Sequence, residues 1–357
     1  MSANAWSRPV FNLNGAAWRG VQRRNREAIG RGLAMRFYLA GGALSAIGAL
    51  QKRMYRRAVE QIVLRPPVFL VGHWRSGTTL LHELIALDES FAAPSTYECF
   101  NPDHFLLAPN RAPDRNRVMR PTGDMSVSAA SPQEEEFALL CMGAISPYEA
   151  FMFPHALERL EALCDPDLFE RVDQLRWNHA MMWILKATAY VRGADKRILL
   201  KSPTNSFRIS RLAMLFPGAV FVRVVREPCD VFASTLRLWR SMWDRYALTA
   251  PLAQDVLIER VFETRRAMER KLRSGLANLP TGRHATVRYE DLVSDSCGTM
   301  KLLYDRLALG DPSGLLPKVR AYIAQHPRPP AQSADEWRTL VEARWPEMFD
   351  EFGYPRG

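Results

Sequence analysis

The stretch at residues 67–88, PVFLVGHWRSGTTLLHELIALD, constrains the fold of this chain more than any other. Val68, Phe69, Leu70 and Val71 form an unbroken apolar run, and such a run needs both faces buried, as in a central parallel strand. Gly72 ends the run, and His73, Trp74, Arg75, Ser76 and Gly77 make a short loop. From Thr78 the apolar positions Leu80, Leu81, Leu84, Ile85 and Leu87 crowd one side of a helix. A strand, a glycine loop and a helix in that order make an anion cradle, because the first N–H groups of a helix are unpaired and carry partial positive charge.

Gly72 and Gly77 have the spacing of a nucleotide P-loop, yet Thr78 stands where its lysine belongs. A P-loop ATPase needs that lysine and a magnesium ion on the terminal phosphates. Here the cation, Arg75, precedes the second glycine. A guanidinium, hydroxyls and backbone amides then meet the ligand's charge, and no metal is demanded. A second informative passage follows at residues 197–242. Ile198, Leu199 and Leu200 read as a buried strand leading into Lys201, and residues 219–225 as the next strand, which leaves into Arg226. Pro228 suits a first helical turn. Ser234 stands 234 − 226 = 8 residues past Arg226, about two turns into that helix. Such a unit feeds a parallel sheet whose C-terminal loops gather on one edge. A late strand at residues 285–288 runs into Tyr289, Glu290, Asp291 and Leu292.

RSGTT after its strand resembles the 5′-phosphosulfate loop of sulfotransferases that use 3′-phosphoadenosine 5′-phosphosulfate (PAPS). The Arg226 to Ser234 spacing is similar to the 3′-phosphate motif of that family, and the strand entering YEDL looks like its late strand. The resemblance spans residues 67–309 and points to the bacterial and tyrosylprotein-type branch rather than the cytosolic small-molecule branch. It implies an α/β fold with a central parallel β-sheet flanked by helices, P-loop-like. It also implies transfer of a sulfuryl group from PAPS to a hydroxyl or amine, with release of adenosine 3′,5′-bisphosphate and no metal. By this resemblance Arg75 contacts the 5′-phosphate and bridging oxygen, and Ser76, Gly77, Thr78 and Thr79 form the cradle. Arg226 and Ser234 grip the 3′-phosphate, Tyr289 lies against the adenine, and Lys201 helps neutralise the sulfonate.

The sequence departs from the cytosolic members at Pro203, where they carry a catalytic histidine, and it lacks their C-terminal glycine-rich nucleotide segment. The base must come from elsewhere. Tyrosylprotein-type enzymes use a glutamate shortly after the loop helix, and Glu98 stands 98 − 75 = 23 residues past Arg75. His104 is the alternative, whereas His82 reads as a packing residue and His73 as one that orients the loop. Two other functions stand beside this reading. One is an atypical P-loop nucleotide kinase, marked by a magnesium requirement; the other is a noncatalytic polyanion- or membrane-binding protein.

The net charge of +10, mostly arginine, suits an anionic ligand or surface. No nucleic acid partner is expected. Five scattered cysteines without a C-x-x-C pair fit neither a disulfide framework nor a zinc knuckle, so a reducing cytoplasm is the expected compartment. Residues 1–64 read as a basic helical extension and 65–357 as the catalytic domain. Within residues 19–57 a basic segment encloses the apolar residues 37–50, which are too few to span a bilayer. This arm either touches an anionic membrane or lipid at the inner face, or packs on the domain with its arginines solvated. Residues 91–132 read as an irregular, proline-rich functional loop. Ser131, Pro132, Gln133 and Glu134 form a capping box launching a helix at Gln133. Leu168, Val172, Leu175, Met182, Ile184 and Leu185 mark a core helix. A stiff linker at residues 327–330 precedes a last helix capped at Ser333 and ending near Trp345.

Overall fold

The apolar run at Val68–Val71 is the middle strand of a five-stranded parallel sheet, and all four of its residues are buried. The structure, a computed structural model, describes residues 11–25, 29–108, 118–119, 126–326 and 334–356. The prolines at 109, 113 and 121, the linker at 327–330 and Ser333 lie outside the described residues. In chain order the strands are β1 (Val68–Val71), β2 (Phe91–Ala92), β3 (Val118–Met119), β4 (Ser126–Val127), β5 (Arg197–Lys201), β6 (Val220–Val225) and β7 (His284–Arg288). The helices are α1 (Gly15–Arg24), α2 (Arg31–Glu60), α3 (Thr78–Ile85), α4 (Thr96–Phe100), α5 (Glu135–Cys141), α6 (Leu160–Cys164), α7 (Arg171–Arg192) and α8 (Ile209–Leu215). They continue with α9 (Pro228–Tyr246), α10 (Gln254–Ala277), α11 (Tyr289–Ser294), α12 (Ser296–Leu307), α13 (Leu316–Gln325), α14 (Arg338–Arg344) and α15 (Pro346–Phe352).

The chain forms two compact units: residues 1–65, 93–195 and 238–256 make one, and residues 66–92, 196–237 and 257–357 the other. The second unit holds the sheet, in the order β2-β5-β1-β6-β7 with every pairing parallel. The strands therefore end together, and Val71, Lys201, Val225 and Arg288 deliver their loops to one edge. The chain leaves β5 on one side of β1 and enters β6 on the other, the reversal at which such sheets bind ligands. Alternation explains the packing. Val68, Leu70, Val220, Val222 and Val224 meet Leu81 and Leu84 of α3, Met300 and Leu303 of α12 and Val319 of α13. On the opposite face Phe69 stacks on Phe221, with ring centroids 5.4 Å apart.

Among the described residues the regular structure of the first unit is helical apart from the β3–β4 antiparallel pair and an isolated bridge between Ser95 and Pro132. Helices α1 and α2 belong to the same unit as residues 93–195. Asn14 caps α1 through Ala17 N and donates to Asp103, while the Gln51 amide of α2 donates to Pro102 O and accepts from Leu106 N. These buried polar bonds tie the arm to its unit. Residues 37–50 lie inside a 30-residue helix which, by length and composition alone, is long and apolar enough to cross a membrane.

Three further expectations change. The hydroxyl of Ser131 accepts from Ser128 N rather than capping a helix, and α5 starts at Glu135 without a side-chain cap. Helix α7 is a core helix only in its later part: Trp177, Met181, Ile184 and Leu185 are buried, whereas Val172 and Leu175, and Leu168 in the turn before the helix, are exposed. The last helix is two, α14 and α15, broken at Trp345 by Pro346.

Candidate active site

The loop between β1 and α3 owes its shape to its glycines. Gly72 has φ 144° and Gly77 has φ 97°, conformations that side chains rarely adopt. A Cβ on Gly72 would meet Val224 O at 2.5 Å, and one on Gly77 would meet the Tyr289 ring at 2.2 Å. Arg75, with φ 70°, holds the same left-handed geometry at the cost of backbone strain, which collects at functional loops. The turn is closed by Ser76 N donating to His73 O at 3.2 Å. Ser206 braces it from β5's exit: Gly72 N donates to its hydroxyl at 2.8 Å, and that hydroxyl donates to Gly72 O at 3.2 Å.

His73 is buried beneath this loop, with its Nδ1 2.8 Å from Trp74 O. That carbonyl fixes Nδ1 as the donor, and Nε2 has no partner among the described residues. Burial pushes the imidazole down to about 3; the Arg265 charge adds to the shift and the Trp74 bond opposes it. The ring is neutral across the ordinary pH range and is held by the loop's own Trp74 carbonyl.

The separated motifs meet at the strand ends. Arg75 Nε donates to Ser234 Oγ at 2.8 Å. The Arg226 guanidinium lies over the Tyr289 ring, 4.6 Å from its centroid, and its Nη2 pairs with Asp230 at 2.7 Å. Tyr289 in turn fills the space left by the missing side chain of Gly77. Register makes these neighbours: Val225 pairs with Arg288, so the residues that follow them, Arg226 and Tyr289, leave the sheet side by side. Thr78 and Thr79 open α3, and Lys201, buried and paired in register with Leu70, ends β5. Ser76 Oγ and Arg226 Nε are buried polar atoms without a partner among the described residues. A buried donor without an acceptor costs about 1–3 kcal/mol. Such donors beside a helix start fit an anionic ligand of the phosphate class.

Glu98 and His104 lie in the other unit. Glu98 N donates to Ser95 Oγ at 3.3 Å, and Glu98 Oε2 accepts from Ser95 N at 2.7 Å, which makes a capping box for α4. Its Oε1 accepts from Arg192 Nη2 at 3.0 Å and Nε at 3.2 Å. Both oxygens of this buried carboxylate are therefore engaged, and the expected base has a competing structural task. His104 is half-buried, its Nδ1 has no partner among the described residues, and burial lowers its pKa.

A family model described as Sulfotransferase family matches residues 66–312, well over half of the chain. The chain belongs to the sulfotransferase family. This sulfotransferase is 34% identical, over 365 aligned residues, to the omega-hydroxy-beta-dihydromenaquinone-9 sulfotransferase Stf3 of Mycobacterium bovis and of Mycobacterium tuberculosis. The alignment covers 98% of this chain and 92% of each relative. Two solved structures share its fold. Sulfotransferase STF9 from Mycobacterium avium matches with a TM-score of 0.68 and 17% identity, covering 99% of both chains. Sulfotransferase STF1 from Mycobacterium tuberculosis H37Rv matches with a TM-score of 0.63 and 19% identity, covering 92% of this chain and 90% of that one. The protein is thus an enzyme of sulfuryl transfer, and the kinase and noncatalytic readings fall away.

Sequence reasoning missed the residues that support the sulfotransferase site from behind. Besides Ser206, these include Glu290, whose Oε1 accepts from Glu227 N at 3.0 Å and whose Oε2 accepts from the Tyr354 hydroxyl at 3.0 Å. No local pattern marks them, because their partners are distant in the chain. The capping box at Ser95 and Glu98 did carry a signal, S-x-x-E, that was open to reading.

Proposed function

We propose that the enzyme takes its sulfuryl group from PAPS and releases adenosine 3′,5′-bisphosphate. The observation that carries this reading is the Arg75 to Ser234 hydrogen bond, which joins the 5′-loop to the 3′-phosphate motif in one constellation with Arg226 and Tyr289. PAPS, when bound, supplies an electrophilic sulfur and a phosphate leaving group. Ser76, Gly77, Thr78, Thr79 and the first N–H groups of α3 hold the 5′-phosphate, and Arg75 places a fixed positive charge where negative charge grows. Arg226 and Ser234 bind the 3′-phosphate, Tyr289 offers its ring to the adenine, and Lys201 stands by the sulfonate. No residue in this set needs a metal ion to do its part.

The base is assigned to His104 rather than Glu98. A histidine whose pKa burial lowers, and whose Nδ1 has no partner among the described residues, can accept a proton from an alcohol; a carboxylate with both oxygens bound is the poorer acceptor. The acceptor is a hydroxyl borne by a lipid, with an amine as the lesser choice. The relatives named for omega-hydroxy-beta-dihydromenaquinone-9 support that class. The enzyme works in the cytoplasm at the inner face of a membrane, where the basic segment of residues 19–57 meets anionic lipid.

Calorimetry tests the donor reading. Adenosine 3′,5′-bisphosphate binds more tightly than adenosine 5′-phosphate by about 1.5–3 kcal/mol per charge-assisted contact. Equal affinities sink the assignment of Arg226 and Ser234. Transfer of labelled sulfate from PAPS into lipid, phenol, glycan and peptide pools tests the acceptor, and label confined to peptides or glycans overturns the lipid.

A further inference from the structure

Helix α2 is apolar on two opposite sides, and its own unit covers only one of them. On the covered side Phe37 stacks on Trp18 with centroids 4.1 Å apart, Gly48 lies against Asp103, Gln51 is bonded to the 102–106 turn, and Tyr55 meets Tyr190 edge-on. On the other side Met35, Leu39, Leu50 and Met54 are 59%, 69%, 50% and 59% exposed. At about 100° per residue these four fall in one stripe roughly 100° wide, opposite Phe37 and Gly48. Ala43 and Ala46, both exposed, lie within the stripe, and the exposed Gly42 and Ala49 flank it on one side. From Met35 to Met54 it runs roughly 28 Å at about 1.5 Å per residue.

The charges of α2 are confined to its ends. No charged residue occurs between Arg36 and Lys52. Arg31 and Arg36 stand at one end and Lys52, Arg53, Arg56 and Arg57 at the other, all exposed, against a single acid, Glu60. A long exposed apolar stripe calls for an occupant. A second copy of α2 fits poorly, because parallel or antiparallel pairing sets cationic ends against cationic ends. Spanning a bilayer is also excluded for this arrangement, since it would strip Trp18, Asp103 and Tyr190 from the covered side. A surface that is greasy and negatively charged satisfies both features at once.

We propose that the exposed face of α2 is the docking surface for an anionic membrane, on which the helix lies flat with its apolar stripe in the acyl boundary and its terminal cations on acidic headgroups. The proposal deepens the lipid-acceptor reading by naming the surface on which the enzyme meets its acceptor. It is scored without any acceptor, so the two can fail separately.

The full chain is sedimented with phosphatidylcholine vesicles and with vesicles of equal phosphatidylcholine and phosphatidylglycerol. Binding is at least roughly tenfold tighter to the anionic vesicles and weakens with added salt. The double variant Leu39→Glu, Leu50→Glu loses on the order of a hundredfold in vesicle partition. Its melting shift with adenosine 3′,5′-bisphosphate is unchanged, which reports an intact fold. The triple variant Arg53→Gln, Arg56→Gln, Arg57→Gln loses most of the preference for anionic vesicles, and an unchanged preference overturns the role of these cations. Failure of the wild-type chain to sediment with anionic vesicles overturns the proposal, as does a double variant that binds like the wild type. Velocity sedimentation showing a dimer that the double variant abolishes assigns the face to a second copy instead. Vesicle binding with no sulfate transfer to a detergent-dispersed lipid alcohol rejects the acceptor reading and leaves the docking surface standing.

Discussion

Acid should loosen this enzyme through His73, a residue that touches no substrate. The imidazole is buried, its Nδ1 is spent on Trp74 O, and its Nε2 faces no partner among the described residues. Protonation would bury a cation near Arg265, so the folded state holds the pKa down at about 3 against an ordinary 6.5. Above pH 6.5 neither state is charged, and His73 adds no pH dependence. Below it the unfolded chain takes up a proton that the folded chain refuses, so stability falls as pH falls, until the folded pKa is reached. The slope is about 1.4 kcal/mol per pH unit, and the 1.5 units from 6.5 down to pH 5 cost roughly 2 kcal/mol. His73→Phe keeps a ring against Trp74 and Trp345 but cannot titrate. It costs about 1 kcal/mol at pH 7 for the lost hydrogen bond. Urea unfolding followed by tryptophan fluorescence, run on both proteins at pH 7 and pH 5, isolates the effect because all other groups cancel. The wild type should lose about 2 kcal/mol more than the variant across that interval. Equal losses in the two proteins would refute the burial argument, and a larger loss in the variant would reverse its sign.

Gly77→Ala sets a Cβ into the Tyr289 ring at a left-handed position, and should cost at least about 1 kcal/mol of stability and abolish adenosine 3′,5′-bisphosphate binding by calorimetry. Arg75→Ala should slow sulfate transfer about a hundredfold or more, read in single-turnover assays at saturating PAPS. Glu98→Gln weakens the α4 capping box and the Arg192 pair, lowering the unfolding free energy by about 1–3 kcal/mol while turnover per folded molecule persists; lost turnover with unchanged stability would return the base to Glu98. His104→Gln should do the opposite. Because burial lowers the pKa of His104, the acid limb of the wild-type rate profile should lie below the ordinary histidine value, and that limb should vanish in the variant.

The sequence was most informative where one residue must serve two levels of structure. The β1 run, the two glycines and α3 sit where the pattern puts them, because a buried strand and a left-handed turn leave few alternatives. Likewise Arg226 and Ser234 are separated by a helix whose pitch fixes their distance. What escaped was set by tertiary contact. Ser131 looks like a helix cap, but its carbonyl takes Thr96 N and its hydroxyl takes Ser128 N, so α5 begins later. Leu168, Val172 and Leu175 carry the spacing of a buried face, yet no neighbour covers them enough to bury them. Glu98 shows how one position can carry two readings. A local capping box and a catalytic carboxylate can occupy the same place in the chain, and only the geometry of Ser95 and Arg192 separates the two tasks.

The site also depends on chain beyond the segment that carries the family pattern. That pattern ends at residue 312, yet residues 334–356 return to the back of the anion loop. Trp345 meets the His73 ring with centroids 6.4 Å apart, and Arg338 pairs with Glu227 at 3.6 Å. The Tyr354 hydroxyl donates to Glu290, and burial together with that carboxylate raises the tyrosine's pKa, which keeps the proton on the donor. Glu290 then holds Glu227 N with its other oxygen. Glu227 follows Arg226 and Glu290 follows Tyr289, so one carboxylate fixes the spacing between the two strand exits that carry the cation and the ring. Register alone places Arg226 beside Tyr289, but it leaves each free to turn once past its strand. The C-terminal segment removes that freedom. A catalytic unit cut at residue 312 would keep every motif residue and the Glu227–Glu290 bond but lose the Tyr354 and Arg338 contacts that hold those two carboxylates, so the functional unit of this sulfotransferase runs at least to Tyr354.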